Sequence, residues 1–116
     1  MSSKHTDAVA DIDKLIEAMD SVIHALQASK RVLKRASKAL SEGAAIATTL
    51  EASGAAETRA GANDVLQALE SARHQSRLSI FAAGLDEGMT IGDLARAWGF
   101  SRQLASRYAK EARGEP

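Results

Sequence analysis

Ile12, Met19, Leu26, Leu33 and Leu40 recur at seven-residue intervals without a break. Leu15, Val22 and Ala36 each follow three residues behind one of these, and Ser29 is the polar exception. This is the a/d pattern of a heptad held for about five repeats, which predicts a long coiled-coil-like helix. Ile16 and Ile23 widen the apolar stripe on one flank and Val32 on the other. A stripe of that width suits a helical bundle better than a bare two-stranded seam. The helix is expected over Asp7 to Gly43. Acidic residues near its start and basic ones near its end complement the helix dipole, and Gly43 is a natural terminator. The seam is longer than the small remainder of the chain could cover. It therefore predicts self-association through Ile12, Leu15, Met19, Val22, Leu26, Leu33 and Leu40, as a homodimer or a higher homo-oligomer. The competing expectation is packing against later helices of the same chain.

Residues 43–62, "GAAIATTLEASGAAETRAGA", have a weaker pattern. Ile46 and Leu50 lie one turn apart and predict a short helix near 44–52. Gly54 and Gly61, set among small residues, predict a linker after it. The glycine spacing matches no phosphate-binding loop, since no strand precedes it and no Gly-Lys-Ser/Thr closes it. Asn63 has the character of an N-cap, with Asp64 in the first turn. Val65, Leu66, Leu69, Ala72, Leu78, Phe81 and Leu85 then repeat at helical spacing, interrupted around Gln75. Asp86-Glu87-Gly88 reads as a turn. The organisation expected is an oligomerisation region over 1–62, linker included, and a small module over 63–116.

The clearest local signals lie in "TIGDLARAWGFSRQLASRYAKEA", Thr90 to Ala112. Thr90 followed three residues later by Asp93 is a capping-box start. Ile91, Leu94, Ala95 and Trp98 share one face of a two-turn helix. Gly99 adopts a left-handed backbone at no steric cost, so the helix can stop there. Phe100 anchors the turn and Ser101 can cap a second helix. In that helix Leu104, Ala105 and Tyr108 share a face, while Arg102, Gln103, Ser106, Arg107 and Lys110 point away from it. Arg and Gln can pair bidentately with guanine and adenine edges, and Ser, Arg and Lys reach phosphates.

These residues resemble the helix-turn-helix of bacterial and phage DNA-binding regulators. The likeness rests on Ala95, Gly99 four residues later, Phe100, the Ser101 cap and the polar helix beyond, about 25 residues in all. It extends to about 50 if the helix near 64–85 is the supporting first helix. The resemblance implies that the second helix, about 101–112, enters the major groove of double-stranded DNA. Base contacts would fall to Arg102, Gln103, Ser106 and Arg107, and phosphate contacts to Ser101, Lys110 and Arg113. One position departs from the family pattern. Ala105 stands where a bulky aliphatic is usual, and Leu104 or Tyr108 is left to fill the space.

Composition narrows the picture further. The chain has 116 residues, is 45% apolar and holds only four aromatic residues and one proline, the last residue. Much of the apolar content is alanine, the best helix former, so an all-α fold is expected. Two modules this small would lean on a partner chain, since below about 70 residues a core is thin. There is no cysteine, which fits a reducing cytoplasm and removes thiol-based zinc sites. No apolar run approaches a membrane span and the polar, acidic start is unlike a signal peptide, so a cytoplasmic or nucleoid location without membrane contact is expected. Net charge is zero, but it is unevenly spread. Residues 1–28 carry a net −3, residues 30–38 ("KRVLKRASK") five positive charges, and residues 101–113 a net +3. The run 30–38 is either a solvated face or a contact for phosphate or a partner.

Trp98 and Tyr108 are expected in the core of the hairpin, with Tyr108 at its edge. His5, His24 and His74 have no ligand spacing, no carboxylate pair or Ser-His-Asp set is visible, and no cofactor fingerprint appears, so neither an enzyme nor a cofactor or metal is expected. The function expected is sequence-specific DNA binding by a small dimeric transcriptional or phage/plasmid regulator. The rivals are a helical adaptor that binds a partner protein through its long helix, and an accessory DNA-binding subunit of an excision or packaging complex.

Overall fold

A computed structural model describes residues 3–115. The chain is all-α, with no strand among the described residues. Five helices follow one another: α1 (Ser3–Ser41), α2 (Ile46–Ser53), α3 (Ala55–Asp86), α4 (Ile91–Trp98) and α5 (Arg102–Ala112). They form two compact units. One comprises residues 17–70, and the other residues 1–16 together with 71–116.

The long N-terminal helix ends as its glycine predicts. Gly43 takes φ +95°, its N–H donates to Leu40 O at 3.1 Å and the Ala44 N–H to Ala39 O at 3.0 Å. This paired closure satisfies carbonyls that the helix leaves without a partner. The linker expected after α2 is not there. Gly54 supplies a single left-handed residue (φ 68°), and α3 starts at the next position. Alanines 55, 56, 60 and 62 favour helix strongly enough to carry Gly61, whose cost is about 1 kcal/mol. Asn63 is therefore inside α3 and caps nothing. The boundary drawn at 62/63 falls within a continuous helix, and α3 also passes through Gln75 unbroken.

In the unit of residues 17–70, Val22 of α1 and Thr49 of α2 are buried. The Thr49 hydroxyl donates to Ala45 O at 2.8 Å, so its burial leaves no polar atom unpaired. Ala36 and Ala39 of α1 face Thr48 and Thr49 of α2 across a shallow cleft.

In the other unit the first turns of α1 run antiparallel to the end of α3. Asp11 accepts from the Ser79 hydroxyl, His5 Nδ1 meets Glu87 Oε1 at 2.9 Å and Lys4 Nζ lies 4.0 Å from Asp86 Oδ1. The core is small and sits where α3, α4 and α5 meet. Phe81, Leu94, Ala95, Ala105 and Ala109 are buried, with Leu85, Met89, Ile91, Phe100, Tyr108 and Ala112 packed against them. Gly84 lets α3 approach α4 closely, since a Cβ there would meet Leu94 Cδ2 at 3.0 Å and Met89 Sδ at 3.1 Å.

Candidate nucleic-acid interface

The α4–α5 hairpin is built from short-range signals. Thr90 Oγ1 accepts from the Asp93 N–H at 3.0 Å and the Asp93 carboxylate accepts from the Thr90 N–H at 2.9 Å. This reciprocal pair starts α4. It also holds the Asp93 carboxyl below its ordinary pKa, first through the Thr90 backbone N–H, then the Thr90 hydroxyl, with the Arg96 charge helping. At the far end Gly99 takes φ 71°, and the Phe100 N–H donates to Ala95 O at 2.9 Å. Ser101 Oγ then accepts from the Leu104 N–H at 3.1 Å, which starts α5.

Ala105 and Ala109 are both fully buried, and they set the rotation of α5. Their small side chains let α5 lie close, and the aromatic residues supply the bulk. The Phe81 ring lies 5.6 Å from Tyr108 and 6.3 Å from Phe100, and Phe100 stacks on Tyr108 at 5.5 Å and on Trp98 at 5.6 Å. Tyr108, not Leu104, thus fills the space beside Ala105. Trp98 departs from its expected place in the core: it is 37% exposed and lies at the rim of the stack.

With the alanines turned inward, Gln103, Arg107 and Lys110 share the opposite face, and all three are exposed. Their 4- and 3-residue spacing stacks them one turn above another. Arg102 is exposed and Ser106 half-buried on the flank of that face. The Ser101 hydroxyl is engaged as the cap. The Arg113 Nε is paired with Glu115 Oε2 at 2.9 Å, which draws on the charge available for an anion.

Two basic residues near this face, Arg96 of α4 and Arg77 of α3, are not singled out by the sequence pattern. Arg96 and Arg102 both reach over Gly92, where a Cβ would meet Arg96 Nη1 at 3.6 Å and Arg102 Nη2 at 3.5 Å. Arg96 is also paired with Asp93 at 2.6 Å. Arg77 comes from α3 and stacks over the aromatic rings. Glu111, at the edge of this face, lies 2.5 Å from His74 Nε2. The hairpin therefore presents amide, guanidinium and ammonium donors from α4 to the last turn of α5.

The residues expected to carry self-association separate into two sets. Val22 is buried and Leu15 and Leu40 are half-buried, while Ile12, Met19, Leu26 and Leu33 are exposed. Among the described residues no helix is long and apolar enough to cross a membrane, and no cluster of three or more His, Cys, Asp or Glu side chains could hold a metal ion. No family model, curated protein or solved structure matches the chain.

Proposed function

We propose that the hairpin binds double-stranded DNA with α5 in the major groove, as a small regulator of bacterial or phage type. One observation carries the reading: Gln103, Arg107 and Lys110 stand together on the exposed face of α5, opposite the buried Ala105 and Ala109. Gln103 and Arg107 match base edges, with Arg102 and Ser106 beside them. Lys110 and Arg102 match phosphates. Ser101 serves through the start of α5 that it caps. On this reading the protein is a binding module rather than an enzyme, works without a cofactor, and acts in the bacterial cytoplasm or nucleoid. Transcriptional control and an accessory part in excision or packaging both use this one surface.

A gel shift on random-sequence duplex at two salt concentrations tests the reading. Binding that weakens steeply with salt is expected. A footprint on the source genome should then show a protected site rather than uniform coverage. No retardation at low salt overturns the DNA reading. The adaptor reading then takes its place, and the exposed apolar residues of α1 favour it.

A further inference from the structure

Two apolar rows run side by side along α1, one residue apart. The first, Ala8, Leu15, Val22, Ser29 and Ala36, is buried or half-buried within the chain. The second is open to solvent over most of its length, with Val9 and Ile12 at its start bordering a groove against Ile80, Met89 and Trp98. Val9, Ile12, Ile16, Met19, Ile23 and Leu26 alternate at spacings of three and four, the row resumes at Leu33, and these side chains are between 37% and 67% exposed. The row is about 36 Å long. A monomer rarely leaves so long an apolar strip in water, and three-four spacing is what a second helix needs to seat its side chains.

We infer that this outer row is the contact between two copies of the chain, and that the two α1 helices pair antiparallel. Charge sets the direction. Asp13, Glu17 and Asp20 flank the first half of the row, and Arg31 and Lys34 flank the second, with Lys30 in the row itself. Parallel pairing sets each group against its own copy and opposes Lys30 to Lys30. Antiparallel pairing sets acidic against basic, which attracts and fixes the register. One register satisfies the apolar row as well. Ile23 falls opposite Leu26 of the second copy and Ile16 opposite Leu33, with Asp13 beside Lys34. Lys30 falls opposite Met19, across which its aliphatic stem can lie while its ammonium reaches water.

Sedimentation of the full chain, without DNA, reads the mass directly. Twice the 12.2 kDa of one chain is expected at micromolar concentration. Leu26→Asp and Leu33→Glu should each give the single mass with helical circular dichroism unchanged, because both side chains are exposed. The chain has no cysteine, so introduced thiols report the direction. Asp13→Cys and Lys34→Cys, mixed and oxidised, should cross-link to each other and not to themselves. A monomeric native protein overturns the second copy as occupant of the row. A dimer that survives both substitutions overturns the face. Cross-links within each variant alone overturn the antiparallel direction. None of these measurements depends on the DNA reading.

Discussion

The Arg77 guanidinium donates to the Tyr108 hydroxyl at 3.3 Å while its Cζ lies 5.3 Å from the centre of the Phe100 ring. One side chain from α3 thus holds both the turn before α5 and the middle of α5. It also lies 5.7 Å from the Trp98 ring. A cation over an aromatic face contributes about 0.5–1 kcal/mol where water still reaches it, and the hydroxyl adds a hydrogen bond of similar size.

Arg77→Ala should therefore lower the stability of this unit by about 1–2 kcal/mol. Arg77→Lys should recover only part of it, since an ammonium cannot stack as a plane. Tyr108→Phe should cost less than Arg77→Ala, because it removes the hydrogen bond and leaves the stacking. Urea unfolding of the three variants checks the order.

Two glycines of α3 should respond to alanine in opposite directions. A Cβ at Gly61 would meet nothing within 4 Å beyond its own helix backbone, so Gly61→Ala gains helix propensity, about 0.5–1 kcal/mol. Gly84 has Leu94 and Met89 at 3.0 and 3.1 Å. Leu94 is buried and cannot move freely, so overpacking of about 1–3 kcal/mol should outweigh the same gain. Thermal melts of both variants should shift up for Gly61→Ala and down for Gly84→Ala.

The capping box gives the hairpin an acid dependence. The folded Asp93 pKa is depressed by the Thr90 backbone and hydroxyl and by Arg96. Its contribution is thus present above the unfolded pKa, and it is lost as pH falls through the lower folded value. Asp93→Asn should destabilise at neutral pH, with a smaller difference from the native protein at strongly acidic pH. Unfolding midpoints of the two proteins across that range check this. A difference that grows on acidification contradicts it.

On the DNA reading, the exposed face of α5 should divide by chemistry. Arg107→Ala and Gln103→Ala should each cost about 1–3 kcal/mol on the preferred site and relax sequence choice there. Lys110→Ala should weaken all sequences alike and reduce the salt slope by roughly one unit. Ser101→Ala should act through folding instead, by loss of a cap that contributes about 1 kcal/mol. Binding to specific and scrambled duplexes over a salt series, with a melt for each variant, separates the three behaviours.

The hairpin was legible because its determinants are local. Thr90 with Asp93, Gly99 and Ser101 each act within one turn of the residues they organise, and the structure places every one in its expected role. Residues 53–62 carry two glycines that signal a linker, and the alanines around them hold the helix instead. Only Gly54 takes the left-handed conformation, and Gly61 sits in ordinary helix. The faces of α1 could not be told apart from the pattern. Leu15 and Val22 differ from Ile12 and Met19 in what lies against them, not in hydrophobicity. Arg77 escaped for the same reason, since the rings beneath it are about 20 to 30 residues away in the chain.

Trp98 is the chain's single tryptophan, and Phe81, Phe100 and Tyr108 are its other aromatic residues. All four belong to the unit of residues 1–16 and 71–116. Intrinsic fluorescence and near-ultraviolet dichroism therefore report on that unit alone, while residues 17–70 are optically silent in those bands. Far-ultraviolet dichroism reports on both. If the halves unfold together, the curves from the two spectral regions superimpose. If they unfold apart, the curves separate without any label, and the aromatic signal identifies which half has melted.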